Sequence, residues 1–458
     1  MKRILFGAGV VSLLLIVGAV LFVRAEIPKY RAAFLYAYGP YEFTRSIQDF
    51  SGQREGEGGL FNAGAIRSMD PDWSGGAVLN RHMHNMNLTD YTLRTVTTPN
   101  NDTLYTSAVL ELSQTPVEII VPAVGERYVS IALMDIFTDQ FAHIGPRETD
   151  GLGGRYWVIG PDDSTIPPDG VSVIRATGND VWFLARTFVS GRSDLEAARA
   201  AQQGIIVRPV DPDARPNPFT KQVTNIRDPE NFIAVVNESL SRNPDHPQSA
   251  RAAEFLSLGL GPQATLGPLN RRLWALVTRR AEAAISEQVE QQMSATLGWS
   301  QPPDNIGAYG EDDLTRAAIA LIGFGALRRS DAIYYRMTRT EDGAALDGTR
   351  PYRMTLPANV PAQAFWSLAL YAPDETGRFF FYETATGRHS LHSDSDGLAI
   401  NADGSVTLEI GPVQPSAPEA NWMPTPDGPF AAFFRLYLPE PDAVREGWRP
   451  PNIVPVSE

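Results

Sequence analysis

Asn100-Asn101-Asp102-Thr103 places two amides, a carboxylate and a hydroxyl in four successive residues just ahead of a strand pattern, a set of groups able to orient a sugar or hold a metal. The same residues build turns, because Asn and Asp side chains bond their own backbone and tolerate left-handed conformations. The turn reading weighs more. Tyr105 follows on the polar face of that strand, placed to line a pocket or to pack a rim. Far along the chain, Asn421-Trp422-Met423-Pro424 and Arg435-Leu436-Tyr437 form a second polar set. Pro424 drives Met423 extended, and a Trp held in such a rigid segment suits stacking on a sugar ring or, preferably, capping a hydrophobic core. Arg435 stands on an otherwise aromatic strand and needs a buried acid or an anionic ligand; Asp342 or Asp347 is the expected partner.

Paired carboxylates are the chemistry least excluded. Asp342 and Asp347 bracket a glycine-containing turn, and with Asp102 they would supply the acid and base a glycosidase requires, although Asp-Gly pairs are above all turn formers. His82-Met83-His84 puts two imidazoles on alternate strand positions. With Gly76 it has the beginning of the cupin metal motif, but no Glu follows at the required distance, Asp90 is displaced, and a metal is not expected. His143, close to Phe141, reads as a rim histidine. His389, Ser390, His392, Asp394 and Asp396 lie too close together for a triad, which is assembled from distant segments, and read as a solvated polar loop. The chain has no cysteine, no Gly-x-Ser-x-Gly elbow and no His-Glu-x-x-His helix. No cofactor is called for.

The elements that must carry these residues are strands, then helices, then strands. Residues 103–112 alternate, with Leu104, Ala108, Leu110 and Leu112 on one face and Tyr105, Ser107 and Glu111 on the other, the period of a half-buried strand. Further strands are expected at 128–134, 156–159, 171–175 and 181–189, at the short spacing of a sandwich or barrel. Asp228-Pro229-Glu230 opens a helix, with an N-cap acceptor and Pro at the first helical position. A longer helix is expected over 269–297 and a third over 314–327. Strands return at 365–371 and 379–383, and the loop Asn401-Ala402-Asp403-Gly404 between 398–400 and 406–410 signals a hairpin. In the last strand Phe434, Leu436 and Leu438 share one face, with Phe433, Arg435 and Tyr437 on the other. No repeat at fixed short period is visible.

Taken together, these segments resemble a bacterial family in which a domain of unknown function numbered 1254 precedes one numbered 1214. Asn80, His84 and 98–105 look like the front motif of the first domain, with Arg127-Tyr128, Ile144-Gly145, Ile159-Gly160-Pro161 and Arg186 as later landmarks. The second domain matches through Asp342-Gly343, Leu346-Asp347-Gly348, Phe365-Trp366-Ser367, Asp403-Gly404-Ser405, Asn421-Trp422 and Arg435-Leu436-Tyr437, preceded by the helical stretch at 312–318. The resemblance implies a mainly β fold with an α section: tandem jelly-roll-like β-sandwich domains joined by a helical segment. It carries no activity. The expected division is an anchor or signal peptide at 1–25, a sandwich at 26–215, a helical connection at 216–330 and a second sandwich at 331–458.

Residues 4–23 are uncharged and apolar, long enough for the ~20-residue span a hydrocarbon core needs, and Lys2 and Arg3 precede them. That asymmetry predicts the amino terminus inside and the remainder outside the cytoplasm, whether in the periplasm or elsewhere beyond the inner membrane. A retained transmembrane helix is favoured over a cleaved signal, since the apolar run exceeds the usual ~7–15 residues. Net charge is −14 and pI near 5.0, with no basic cluster past the amino terminus, which excludes nucleic acid as a partner. The expected partners are the inner membrane, through residues 4–23, and a polar small molecule or glycan, with homo-oligomer formation left open. Two functions from different classes stay in view: a membrane-anchored binding or structural module for a carbohydrate-like or other polar ligand, and an envelope glycan hydrolase using paired carboxylates. The ligand candidates are Asn100, Asn101, Thr103, Tyr105, Asn421, Trp422, Arg435 and Tyr437. Catalytic candidates are Asp102, Asp342 and Asp347, and the metal candidates His82 and His84.

Overall fold

The structure, a computed structural model, describes residues 2–52, 77–94, 97–294, 297–301, 303–375, 377–416 and 421–456, without the side chains of 2–16, 19, 281, 288, 290–294 and 444. Among the described residues eighteen strands, numbered in chain order, form four sheets. Helices make one further layer.

The amino-terminal sandwich uses β1 (Met83–Asn85), β2 (Thr103–Glu111), β3 (Val117–Val121), β4 (Val129–Met134), β5 (Gln140–Ile144), β6 (Gly154–Ile159), β7 (Ser172–Arg175), β8 (Asp180–Phe188) and β9 (Ile206–Pro209). One sheet runs β1-β2-β8-β4-β5 and the other β7-β6-β3-β9. Ala108, Leu110, Ile131, Val181 and Phe183 from the first meet Val117, Ile119, Val158 and Val207 from the second. Period-two alternation therefore sends one face of β2 into this core, as expected. Its other face is not solvent-exposed. All nine residues of β2 are buried, because the polar face is covered by helices and by the second sandwich.

The second sandwich uses β10 (Ala332–Met337), β11 (Tyr352–Leu356), β12 (Ala362–Pro373), β13 (Phe379–Phe380), β14 (Ser390–His392), β15 (Val406–Gly411), β16 (Trp422–Pro424), β17 (Ala431–Pro439) and β18 (Val454–Pro455). Its sheets run β10-β17-β12-β13, with β14 also on β12, and β16-β15-β11-β18. This is the pairing of the first sandwich over again. β10, β11, β12, β15, β16, β17 and β18 correspond to β2, β3, β4, β6, β7, β8 and β9, down to the parallel pairs β6–β7 and β15–β16. The chain contains a structural duplication that no fixed period in its sequence announces.

The expected hairpin at Asn401–Gly404 keeps its turn, closed by the Asn401 N–H on the Ser405 carbonyl at 2.8 Å with Gly404 at φ 82°. Its first arm, however, forms no strand. β15 pairs with β11 and β16 instead. Ser390–His392 is likewise a strand on β12 rather than a solvated loop, with His389 and His392 buried.

Helix Lys2–Phe50 runs through Pro28 and Pro40, so residues 26–50, expected within the first sandwich, belong to the helical layer. From Tyr30 it packs on helices Pro229–Arg242, Pro268–Thr278 and Asp313–Ile322, with Phe34 stacked on Phe232 at 5.0 Å and Tyr30 edge-on to Trp274 at 5.3 Å. Asp228 caps the first of these by accepting the Glu230 N–H. The single helix expected over 269–297 is two, Pro268–Thr278 and Ala281–Ser294. The next ends at Ile322 rather than 327, where Gly323 interrupts it. Among the described residues no helix is long and apolar enough to cross a membrane; most side chains of the apolar run at 4–23 lie outside those described.

Candidate functional site

The outer face of the β1-β2-β8-β4-β5 sheet is shared between two covers. Trp182, Met134 and Val109 join the helical core, while Tyr128, Ala132 and Phe188 pack against Phe365, Ala332, Tyr437 and Leu438 of the second sandwich. Phe188 stacks on Phe365 at 3.9 Å, and Tyr128 meets Tyr437 edge-on at 5.7 Å. Residues two apart on a strand share a face, so Arg186 lies on the same face as Phe188, and Arg435 on the same face as Tyr437. Both arginines thus sit where the two sheets and the helical layer meet.

Each is the centre of a rung. Across the first sheet Tyr105, Arg186 and Ser130 stand opposite one another. Across the second, Tyr334, Arg435 and Ser367 do the same. By strand correspondence these are equivalent positions, tyrosine for tyrosine, arginine for arginine and serine for serine. The equivalence continues outward, with Phe188 and Tyr128 matching Tyr437 and Phe365.

Residues 98–102 enter this junction. The Asn100 side chain accepts the Asp102 N–H, an Asx-type bond that fixes the turn, and donates to the Tyr437 hydroxyl. Arg435 donates to the Thr98 carbonyl at 3.1 Å and to the Tyr371 hydroxyl at 2.8 Å, and Tyr371 donates to the Pro99 carbonyl at 2.6 Å. Asn101 reaches the Thr89 carbonyl. Asp102 accepts from the Ser390 hydroxyl at 2.5 Å. Thr98 at φ 47° and Leu438 at φ 49° hold left-handed backbone without glycine, a conformation costly for a β-branched residue and common near functional sites.

Several polar atoms here have no hydrogen-bond partner among the described residues: Arg186 Nη1, Arg435 Nη1, Ser130 Oγ, Ser367 Oγ, Tyr128 OH and Asp102 Oδ2. Arg186 places its other terminal nitrogen on the Gly325 carbonyl at 2.7 Å. Burial raises the Tyr437, Tyr371, Tyr128 and Tyr334 phenols above their ordinary range, against the pull of nearby arginines. They are neutral at physiological pH.

The remaining candidates lie elsewhere. Arg435 pairs with neither Asp342 nor Asp347: Asp342 accepts from Thr340 and the Ala344 N–H, Asp347 from Thr349, each within its own turn. No hydrogen bond or ion pair among the described residues joins either to Asp102. The Asn421 side chain accepts the Ala399 N–H and donates to the Ala399 and Thr407 carbonyls, all at 2.8 Å. Trp422 is buried and donates to the Gly411 carbonyl at 2.9 Å. Both therefore build β16, on the sheet turned away from the junction. Thr103 is buried at the start of β2. The His82 and His84 rings lie 4.7 Å apart, on one face as expected, with His82 accepting the Val207 N–H and His84 bonded to Thr106. Among the described residues no third His, Asp or Glu joins them as a metal-holding group. Gly76 lies outside the described residues.

Arg186, Ser130, Tyr128 and Tyr334 carried no expectation as site residues. A signal for them exists: Tyr128-Val129-Ser130-Ile131-Ala132 parallels Phe365-Trp366-Ser367-Leu368-Ala369, and Ile159-Gly160-Pro161 parallels Ile410-Gly411-Pro412.

The family model described as "Protein of unknown function (DUF1254)" matches residues 79–209, and that described as "Protein of unknown function (DUF1214)" matches 331–441. The crystal structure of the VPA0106 protein from Vibrio parahaemolyticus is similar over 94% of this chain and 100% of that one, with a TM-score of 0.68 at 20% identity. An uncharacterised protein from Burkholderia cenocepacia covers 95% of this chain and 96% of its own, at a TM-score of 0.47 and 12% identity. No curated protein matches the sequence.

Proposed function

We propose that this chain, which belongs to the family in which the domain of unknown function 1254 is followed by the domain of unknown function 1214, is a binding module of the cell envelope that holds a small polar ligand where its two sandwiches meet. The observation that carries the reading is the set of buried, unpartnered polar atoms on the facing Arg186 and Arg435 rungs. Buried polar groups in folded proteins are nearly always satisfied, and a group of them at one junction marks a place that a further molecule completes. Asn100, Asn101, Tyr105, Arg435 and Tyr437 are the binding candidates; Asn421 and Trp422 have a sufficient structural role. The glycan hydrolase reading draws less support, since Asp342 and Asp347 each commit one oxygen to their own turn and no hydrogen bond or ion pair among the described residues joins either to Asp102.

The repeated crossing of the chain between the two sheets of each sandwich, as from β2 to β3 to β4 and from β17 to β18, supports a jelly-roll-like description. The location rests on the apolar run at 4–23 behind Lys2 and Arg3 and on the outward exposure of Val17, Val20, Leu21 and Phe22, which suit a single-pass inner-membrane anchor. Reporter fusions placed after Pro216 are expected to be active only when exported; activity in the cytoplasm would overturn that location.

Binding is tested with the full chain in detergent, screened by thermal melting against oligosaccharides, polyols and organic acids, alongside Tyr437→Phe. That variant keeps the ring and its packing but removes the hydroxyl facing Asn100. The reading expects one ligand class to raise the melting temperature of the parent and to raise that of Tyr437→Phe less. Identical responses of the two proteins to every class would sink it.

A further inference from the structure

We infer that the group held at this junction is an oxyanion, a carboxylate or a phosphate, received between the guanidinium groups of Arg186 and Arg435. The inference rests on the binding reading above and gives the ligand its chemistry. Arg186 and Arg435 are 6% and 3% exposed, and among the described residues neither takes part in an ion pair. Their hydrogen bonds go to neutral acceptors, the Gly325 and Thr98 carbonyls and the Tyr371 hydroxyl. The tyrosines around them are neutral phenols and supply no counter-charge. Asp102, the carboxylate that enters the junction, gives one oxygen to Ser390; its charge acts on the Arg435 guanidinium from nearby, but no ion pair among the described residues joins it to either arginine. A permanent cation taken out of water without a partner is strongly unfavourable, and here two are buried against the same layer.

The unpartnered atoms also have a direction. Arg186 Nη1 and Arg435 Nη1 can only donate, and Ser130 Oγ, Ser367 Oγ and Tyr128 OH can donate as well. A surplus of donors with permanent positive charge matches a ligand that offers acceptors with negative charge, and charge-assisted bonds of this kind are the strong ones. The duplication supplies the symmetry: each sandwich contributes an equivalent Tyr-Arg-Ser rung, the charges of both arginines act on the Tyr334 phenol, and an oxyanion has equivalent oxygens to give one to each. Asp102 Oδ2, the unpartnered acceptor, suits a ligand that also carries a hydroxyl, as monohydrogen phosphate and hydroxy acids do.

Isothermal titration of the dialysed full chain with inorganic phosphate, with malate and with neutral maltopentaose, all at one ionic strength, tests this. Saturable binding of phosphate or of malate is expected, and which of the two binds identifies the source of the oxyanion. In the double variant Ser130→Ala/Ser367→Ala each serine gives up a hydroxyl without a well-formed hydrogen bond among the described residues, so it is expected to keep the fold, checked by its melting temperature, and to weaken that binding at least tenfold; Arg186→Lys is expected to weaken it similarly. A merely structural role for the serines leaves the affinity unchanged and overturns the inference, as does the absence of both phosphate and malate binding. If maltopentaose alone binds, the oxyanion inference fails and the polar-ligand reading stands; if no probe binds, both fall.

Discussion

Asn100 donates its side-chain amide to the Tyr437 hydroxyl across 337 residues of sequence, and in doing so joins the two most distinctive segments of the chain. The same Asn100 side chain fixes the turn ahead of β2 by accepting the Asp102 N–H. Turn chemistry and domain junction are therefore one structure. The front motif has its residue types because it must shape its own backbone and present its carbonyls, at Thr98 and Pro99, to Arg435 and Tyr371.

Asp102→Ala is expected to lower stability by roughly 1–2 kcal/mol, the cost of leaving the Ser390 hydroxyl without its acceptor at a buried interface. The turn itself should survive, because its bond uses the Asp102 backbone N–H. Asp102→Asn, which retains an acceptor oxygen, is expected to recover most of the loss. Denaturant titration of the three proteins checks this, and an Asp102→Ala variant as stable as the parent would contradict it.

Asn421→Ala removes three hydrogen bonds at once and leaves Ala399 and Thr407 backbone groups without that partner. At about 1 kcal/mol net per bond, the expected loss is about 3 kcal/mol. Ligand response should be intact wherever the variant is folded, since Asn421 stands on the sheet away from the junction. A folded variant that no longer responds to ligand would return Asn421 to the binding site.

Strand faces were legible in the sequence because their period is short and local. Phe434 and Leu436 do enter the core while Arg435 and Tyr437 leave it, as alternation requires, but Leu438, expected on the face of Phe434, packs beside Tyr437 because its left-handed backbone at φ 49° breaks the alternation. What covers the outer face was not legible, since a polar face buried by another domain has the same local pattern as one facing water. For that reason Tyr105 and Ser107 read as solvent-side, and Arg435 was given a nearby acid instead of the carbonyls and phenol it finds. Pro28 and Pro40 obscured the helix ending at Phe50, because proline inside a helix removes a bond and ordinarily ends it. The duplication escaped because its echoes, such as Ile159-Gly160-Pro161 with Ile410-Gly411-Pro412, are brief and separated by unequal lengths of chain.

His84 carries a pH dependence of known sign. Burial first, then the neighbouring His82, lowers its pKa to about 4. The unfolded chain, with an ordinary imidazole near ~6.5, binds the proton more readily than the folded one, so the contribution is present above that value and is lost as pH falls toward 4. With allowance for partial exposure, the loss is on the order of 2 kcal/mol. His84→Asn should flatten the decline of melting temperature between pH 6.5 and 4 relative to the parent; an unchanged slope would show that His84 is not its source.

The docking of the two sandwiches depends on Phe188 and Phe365, stacked at 3.9 Å with ring planes 24° apart. Phe188→Ala opens a void between two sheets that cannot close without moving the Arg186 rung two residues away, so the full cost of a buried aromatic truncation, about 3–5 kcal/mol, is expected. In a double-mutant cycle with Phe365→Ala, the coupling should reach about 0.5–1.5 kcal/mol, the range of a genuine ring pair. If the two costs simply add, the sandwiches do not rely on this stack to hold the arginine rungs opposite one another, and the junction must be maintained by Asn100 and Tyr437 and by the bonds of Arg435 to Thr98 and Tyr371.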